Sequence, residues 1–388
     1  MRSPPAPRTT ATGTPTVEAL EADVLEFPTD APEADGTFAW DRTTMVLVRV
    51  RGGGAAGLGY TYGDRAAADV VGGLLHEVVV GRTVLDVPSA NEAMSRAVRN
   101  AGRPGLIAGA VSAVDVALWD LKARLLELPL ADLLGRARTD VPVYGSGGFA
   151  TYTDRRLAEQ LDGWADQGIT RFKIKIGEGW GTRERRDLER TGRARALVGD
   201  DAELYVDANG AYTRKQAVRV GRALDGMGVG WFEEPVSSDD LTGLAHVRAA
   251  VAADVAAGEY GYDLPCFARM IPAVDCLQAD ATRCGGITVW LRAAALAEAH
   301  GLQLSAHCAP NLHAHAAAAV PNLRHQEWFH DHVRVENLLF EGALDPAGGA
   351  VRPGRSGEPG LGLTIRPDVA DEHRVGGSPS TEEGTGWP

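Results

Sequence analysis

The chain has 388 residues, 44% of them hydrophobic and 23% charged, which excludes a mainly disordered, collagen-like or coiled-coil protein and allows a large core. Lys and Arg total 39 against 52 Asp and Glu, a net charge of −13 with no basic stripe to offset it, so nucleic acid and anionic membrane are poor partners. No apolar run reaches the roughly 18 residues of a membrane span, and four cysteines without a CxxC pair fit a reducing cytoplasm better than a disulfide framework.

The opening MRSPPAPRTTATGTPT has basic residues but no apolar segment, which predicts a flexible tail over 1–14 and no signal peptide. Residues 17–26 and 44–51 (TMVLVRVR) carry strand patterns. Between them, the stretch 29–40 mixes Asp, Pro, Gly, Phe38 and Trp40 without period and predicts a loop long enough to be functional. Helical spacing follows at 65–75, 90–100 and 107–126. Residues 15–138 therefore read as a small α+β capping unit.

From 141 onward the texture changes. Short β-branched or aromatic runs at 142–147, 171–177, 203–210, 230–235, 254–260, 275–280, 302–307 and 324–329 alternate with Ala/Arg/Leu-rich helical stretches. Such alternation implies parallel strands with right-handed crossovers, and eight of them favour a closed (β/α)8 TIM barrel over 139–334, with an open doubly wound sheet as the alternative. The Gly- and Pro-rich segment 335–372 predicts a return to the first unit, and 373–388 a mobile tail.

In a (β/α)8 barrel the functional face lies at the carboxyl ends of the strands. Here those ends carry Lys173 and Lys175, then Asp207, Glu233, Glu259, Asp280, His307 and Glu327, with steps from 207 of 26, 26, 21, 27 and 20 residues, each about one βα unit. Side chains so spaced converge on one opening. Several buried carboxylates need a compensating cation, and the all-oxygen set Asp207, Glu233 and Glu259 favours Mg2+ over Zn2+, with Mn2+ a substitute.

Lys173 and Lys175 stand two apart, so both point to one face. Inside a barrel their mutual repulsion and burial predict a lowered pKa for at least one, leaving an amine able to take a proton. Lys175, nearer the strand end, is the expected base and Lys173 its electrostatic partner. Asp280 and His307 close neighbouring strands, the arrangement that fixes an imidazole's tautomer. Asn209 either hydrogen-bonds the substrate or ties down its own loop, and Glu234, next to Glu233, is expected to point outward into an ion pair. His313, His315, His330 and His332 lie in HxH and HDH patterns, but no further ligands complete a second metal set. GSGGF at 145–149 lacks the helix and acidic residue of a dinucleotide site and reads as a turn beside the first barrel strand.

These motifs together, KxK at Lys173/Lys175, DANG from Asp207, EEP from Glu233, GE at Gly258/Glu259, DATRCGGIT from Asp280, His307 in SAH and Glu327 in EWF, resemble the mandelate racemase branch of the enolase superfamily. The resemblance spans about 141–335, and the capping unit fits that family's layout. It implies Mg2+ on Asp207, Glu233 and Glu259, a base at Lys175, a His307/Asp280 dyad, and a protonated Glu327 donating to a substrate carboxylate. It also implies a homo-oligomer, and a capping loop, here 29–40 with Phe38 and Trp40, that helps choose the substrate.

The implied chemistry is removal of the α-proton of a hydroxy-carboxylate through an enediolate. Dehydration of an aldonate or aldarate is the favoured outcome; racemisation, epimerisation or cycloisomerisation at the same site is the alternative. A catalytically silent metal-holding barrel that binds a ligand, and an aldolase using a Schiff-base lysine, are the readings from other classes.

Overall fold

The computed structural model describes residues 13–377. β1 (Val17–Ala34), β2 (Ala39–Gly52) and β3 (Ala55–Tyr62) form an antiparallel sheet whose outer edge is completed by the short strand Arg374–Gly377 on β1. Both faces of β2 are buried, which explains its unbroken apolar run. Val46, Val48 and Val50 enter the core of the cap, while Met45 and Leu47 on the opposite face join the core shared with the barrel.

The loop expected at 29–40 is a bulged hairpin. Pairing runs to Pro28↔Arg42, skips, and resumes at Glu33↔Trp40 and Ala34↔Ala39. The turn is closed by Asp35, which accepts from the Phe38 amide at 2.8 Å and the Thr37 hydroxyl at 2.9 Å. Ala150 N donates to Ala34 O and Thr151 Oγ1 to Pro32 O, fastening the hairpin to the barrel.

β3 has no counterpart among the strands expected from sequence: Leu58, Tyr60 and Tyr62 alternate on one face, but the other face carries only Ala55, Gly57, Gly59 and Thr61. The helix Leu106–Leu125 explains why. A Cβ on Gly59 would lie 2.2 Å from the Ala113 carbonyl of that helix, so only glycine lets strand and helix backbones approach this closely. Gly59→Ala is expected to destabilise the fold by about 1–3 kcal/mol, the usual cost of overpacking, read as a lowered thermal midpoint; an unchanged midpoint would show that the contact is not limiting.

The eight parallel strands of the barrel are β4 (Val141–Gly147), β5 (Arg171–Lys175), β6 (Glu203–Asp207), β7 (Val229–Glu233), β8 (Asp254–Ala257), β9 (Cys276–Ala279), β10 (Gln303–Ala306) and β11 (Leu323–Phe329). Pairing of β11 with β4, from Gln326↔Val143 to Phe329↔Ser146, closes the cylinder. Its interior is plugged by Tyr144, Tyr205, Trp231, Cys276 and His325, with ring centroids 5.1–5.7 Å apart for Tyr144–Tyr205, Tyr205–Trp231 and Trp231–His325. This aromatic floor sits one layer below the strand ends.

Beyond β11 the chain crosses back. Ala350–Val351 pairs with the start of β4, Leu361 N donates to the buried Asp120 of the cap, and the His373 ring packs 4.4 Å from Phe27. The tail expected from 373 is thus paired into the cap's sheet through 377; the rest of both expected tails lies outside the described residues. All four cysteines are free, and among the described residues no helix is long and apolar enough to cross a membrane.

Candidate active site

Strand periodicity builds the site from its floor. Two residues past Tyr205, Trp231 and His325 stand Asp207, Glu233 and Glu327, on the same inward face and one layer nearer the mouth. Asp207 is in register with Lys175 on one side and Glu233 on the other. Glu259 lies past the end of β8, after Gly258 (φ +143°), where a Cβ would meet the Gln278 carbonyl at 1.9 Å. Asp207, Glu233 and Glu259, all buried, each present one oxygen to a group whose members lie within 4.8 Å of one another.

This donor set fits a hard divalent cation: three carboxylates, no sulfur or imidazole, and Glu259 Oε2 buried without a hydrogen-bond partner. Glu233 is pushed up to about 7 by burial and by Asp207, the mark of negative charge in excess. The lysines now supply the counter-charge. Lys173 Nζ lies 2.6 Å from Glu233 and 2.8 Å from Glu327, and Lys175 Nζ donates to Asp207. Burial disfavours both ammoniums, yet Glu233 and Glu327 hold Lys173, and Asp207 holds Lys175, above the usual lysine range. The lowered lysine pKa expected from sequence is therefore not found: the carboxylates crowded against both ammoniums outweigh burial and lysine–lysine repulsion.

His307, just beyond β10, donates from Nδ1 to Asp280 Oδ2 at 2.8 Å, and its Nε2 stands 3.3 Å from Glu259 Oε2. Burial opposes its charge, but Cys308, Glu259, Glu327 and the Asp280 hydrogen bond together hold the imidazole well above its ordinary value. Glu327 differs from the protonated acid implied by family resemblance. Although burial opposes ionisation, Lys173 and His307 keep it a carboxylate, accepting also from Ser146 Oγ (2.6 Å) and Cys308 N (2.9 Å).

A cavity of about 530 Å³ opens above these groups. Lys175, His307, Glu259 and Glu327 line its depth; Asn209, Thr43, Thr44, Arg42 and Asp331 add polar walls, and Phe38, Trp40 and Phe329 an apolar one. The cap hairpin thus supplies Phe38 and Trp40 to the cavity, with Trp40 edge-on to Phe149 at 5.4 Å. Asn209 N donates to Asp207, and its Oδ1 has no partner. Arg283, not singled out from sequence, lies 3.2 Å from Glu259 and 3.5 Å from Asp280; its place three residues after Asp280 was the available signal.

Glu234 does not form the expected outer ion pair. Its φ of +37° breaks the strand's alternation and leaves it buried, with Oε1 unpartnered and its pKa raised by burial, Glu259 and Asp207. The other histidines have hydrogen-bonding roles. His313 accepts from Ala281 N and donates to Cys308 O, His315 bridges Ala131 N and Leu361 O, His332 accepts from Ala309 N, and His330 faces Asp30 at 3.2 Å.

Within the hairpin, Glu33 accepts from Trp40 Nε1 (2.8 Å), while its other oxygen is buried without a partner. Burial and Asp331 raise its pKa from 4.5 to about 8. A raised carboxyl contributes stability fully present below its unfolded pKa and lost as pH rises through the folded one. Glu33→Gln is therefore expected to flatten the fall in thermal midpoint between about pH 5 and pH 9; parallel wild-type and variant curves would refute it.

Residues 156–369 match the family described as Enolase C-terminal domain-like, and residues 23–135 match Mandelate racemase / muconate lactonizing enzyme, N-terminal domain. The chain is 31% identical over 377 residues to L-talarate/galactarate dehydratase of Salmonella typhimurium, covering 92% of this chain and 91% of that one. It superposes on a mandelate racemase/muconate lactonizing enzyme-like protein from Rubrobacter xylanophilus with a TM-score of 0.90 and 52% identity, covering 93% of this chain and 100% of that one. A racemase from Streptomyces coelicolor A3(2), solved with bound magnesium, superposes with a TM-score of 0.87 and 30% identity, covering 92% and 100%. The chain belongs to the mandelate racemase/muconate lactonizing enzyme family of the enolase superfamily, whose members are metal-dependent lyases and isomerases.

Proposed function

We propose that this protein is a Mg2+-dependent acid-sugar dehydratase that removes the proton α to the carboxylate of an aldonate or aldarate and expels the β-hydroxyl as water. What carries this reading is that two proton-transfer groups, Lys175 and His307, line one cavity with a three-carboxylate cluster at its base. Asp207, Glu233 and Glu259 would hold the ion, which when bound supplies Lewis-acid stabilisation of charge developing on the substrate carboxylate.

The chain's own residues do the rest. Lys175, freed of its ionic tie to Asp207, accepts the α-proton at Nζ. His307, whose surroundings favour the imidazolium, delivers a proton from Nε2 to the departing hydroxyl, while Asp280 holds the ring by Nδ1. Lys173 places positive charge beside the carboxylate end of the substrate. Asn209 Oδ1, Thr43 and Thr44 offer hydrogen bonds to sugar hydroxyls. The similarity to L-talarate/galactarate dehydratase supports the substrate class.

A racemase reading is favoured by one observation, the apolar wall of Phe38, Trp40 and Phe329, which suits a less hydroxylated acid. A panel of aldonates and aldarates incubated with enzyme and Mg2+ in D2O separates the two. Dehydration yields a keto-acid in the NMR spectrum, and racemisation yields deuterated epimer alone. Neither product nor exchange across the panel would refute the dehydratase assignment.

A further inference from the structure

One wall of the cavity carries a donor set of different chemistry from the three carboxylates. His307 Nε2, Cys308 Sγ and Glu327 Oε2 form a buried triangle with edges of 3.4 Å (N to S), 3.3 Å (S to O) and 3.7 Å (N to O). A tetrahedral Zn2+ bonded at about 2.3 Å to sulfur and about 2.0–2.2 Å to nitrogen or oxygen sets its ligands about 3.3–3.6 Å apart. The two edges to sulfur fall in that range and the N to O edge lies just beyond it, close to one face of that tetrahedron.

Each donor is fixed from behind. His307 Nδ1 is taken by Asp280 at 2.8 Å, so Nε2 is the ring atom that faces the triangle. Glu327 Oε1 is held by Lys173 (2.8 Å) and Ser146 (2.6 Å), which leaves Oε2 toward the sulfur. Cys308 is pinned by its own amide on Glu327 Oε2 and by a left-handed φ of +52°. On the open side, Glu259 Oε2 lies 3.3 Å from His307 Nε2, so the three-carboxylate cluster adjoins the triangle without belonging to it. Lys173, Lys175 and Arg283 are the nearby cations; Glu327 offsets them, as does the thiolate that forms only when an ion binds, since burial and Glu327 push the free Cys308 thiol up to about 12.

We propose that His307, Cys308 and Glu327 form a second cation site, selective for Zn2+ and similar thiophilic ions over Mg2+, whose occupancy shuts the enzyme off. Sulfur and imidazole favour Zn2+, whereas Mg2+ keeps to oxygen and water. Binding forms metal–sulfur and metal–nitrogen bonds, breaks the Cys308 S–H bond and the Nε2–H bond of the His307 imidazolium, and releases both protons to solvent, with no change of oxidation state. The ion occupies the His307 Nε2 lone pair and removes that nitrogen from proton transfer. This inhibition rests on the role proposed for His307; the binding does not.

The full chain in excess Mg2+ is titrated with Co2+, and thiolate-to-cobalt charge transfer is read in the near ultraviolet. One equivalent of band per chain is expected, bleached by Zn2+ and absent from both Cys308→Ser and Cys308→Ala. Zn2+ affinity by calorimetry should fall roughly tenfold or more in these variants, since even losing a hydrogen-bond partner of a ligand weakens a metal site on that scale. No band in the wild type, or a band surviving in both variants, would overturn the site. Where a sugar acid is turned over, Zn2+ inhibition of equal strength in wild type and Cys308→Ser would overturn the switch, because Zn2+ would then act at the three carboxylates. If no sugar acid is turned over, the dehydratase reading fails while the cobalt band still decides the site.

Discussion

His307→Asn, saturated with Mg2+, is expected to lose keto-acid formation by about 10²–10⁴-fold, the range supplied by one general acid or base, while still exchanging the substrate's α-hydrogen with solvent deuterium. Lys175→Ala is expected to lose both. The asymmetry follows from where the groups stand. Lys175 comes from the end of β5 and His307 from beyond β10, separate arcs of the barrel ring, so each meets the bound acid from its own side. An amine that takes the α-proton trades it with water and returns deuterium, whether or not the hydroxyl can leave. Asparagine keeps a polar group beside Asp280 but cannot deliver a proton. Rapid exchange in Lys175→Ala with none in His307→Asn would reverse the two roles, and wild-type product formation by either variant would remove that residue from the chemistry.

Why some of this was legible in the sequence and some was not has a physical basis. A barrel strand must alternate between its helix-facing and interior sides, so Tyr205/Asp207, Trp231/Glu233 and Lys173/Lys175 can be placed from spacing alone, and the ladder confirms their register. Glu234 escapes that rule because its positive φ turns it out of the alternation, and no residue type announces such a turn at a glutamate. β3 is hidden for the opposite reason: its small residues are dictated by a helix backbone distant in sequence. The hairpin at 29–40 loses its period through a bulge, and its fastening to Ala150 and Thr151 is wholly long-range. The charge state of the lysines is collective. It depends on how many carboxylates crowd the same volume and on which cation neutralises them, which a list of strand ends does not contain.

That collective balance makes Lys173→Met the most telling stability variant. Lys173 is fully buried and bridges Glu233, at 2.6 Å, and Glu327, at 2.8 Å; methionine keeps much of its volume but removes the positive charge. Breaking one side of a buried ion pair strands the other and costs about 3–5 kcal/mol. In metal-free buffer the variant should therefore melt well below wild type. Mg2+ gripped by Asp207, Glu233 and Glu259 would neutralise part of the stranded charge, and an ion at about 100 times its Kd stabilises the folded state by roughly 2.7 kcal/mol. The thermal midpoint of Lys173→Met should accordingly climb further on adding Mg2+ than that of the wild type, whose lysine already meets the demand. Equal Mg2+-induced shifts in the two proteins would mean that lysine and metal do not share these carboxylates, and the cation would have to be sought elsewhere in the barrel.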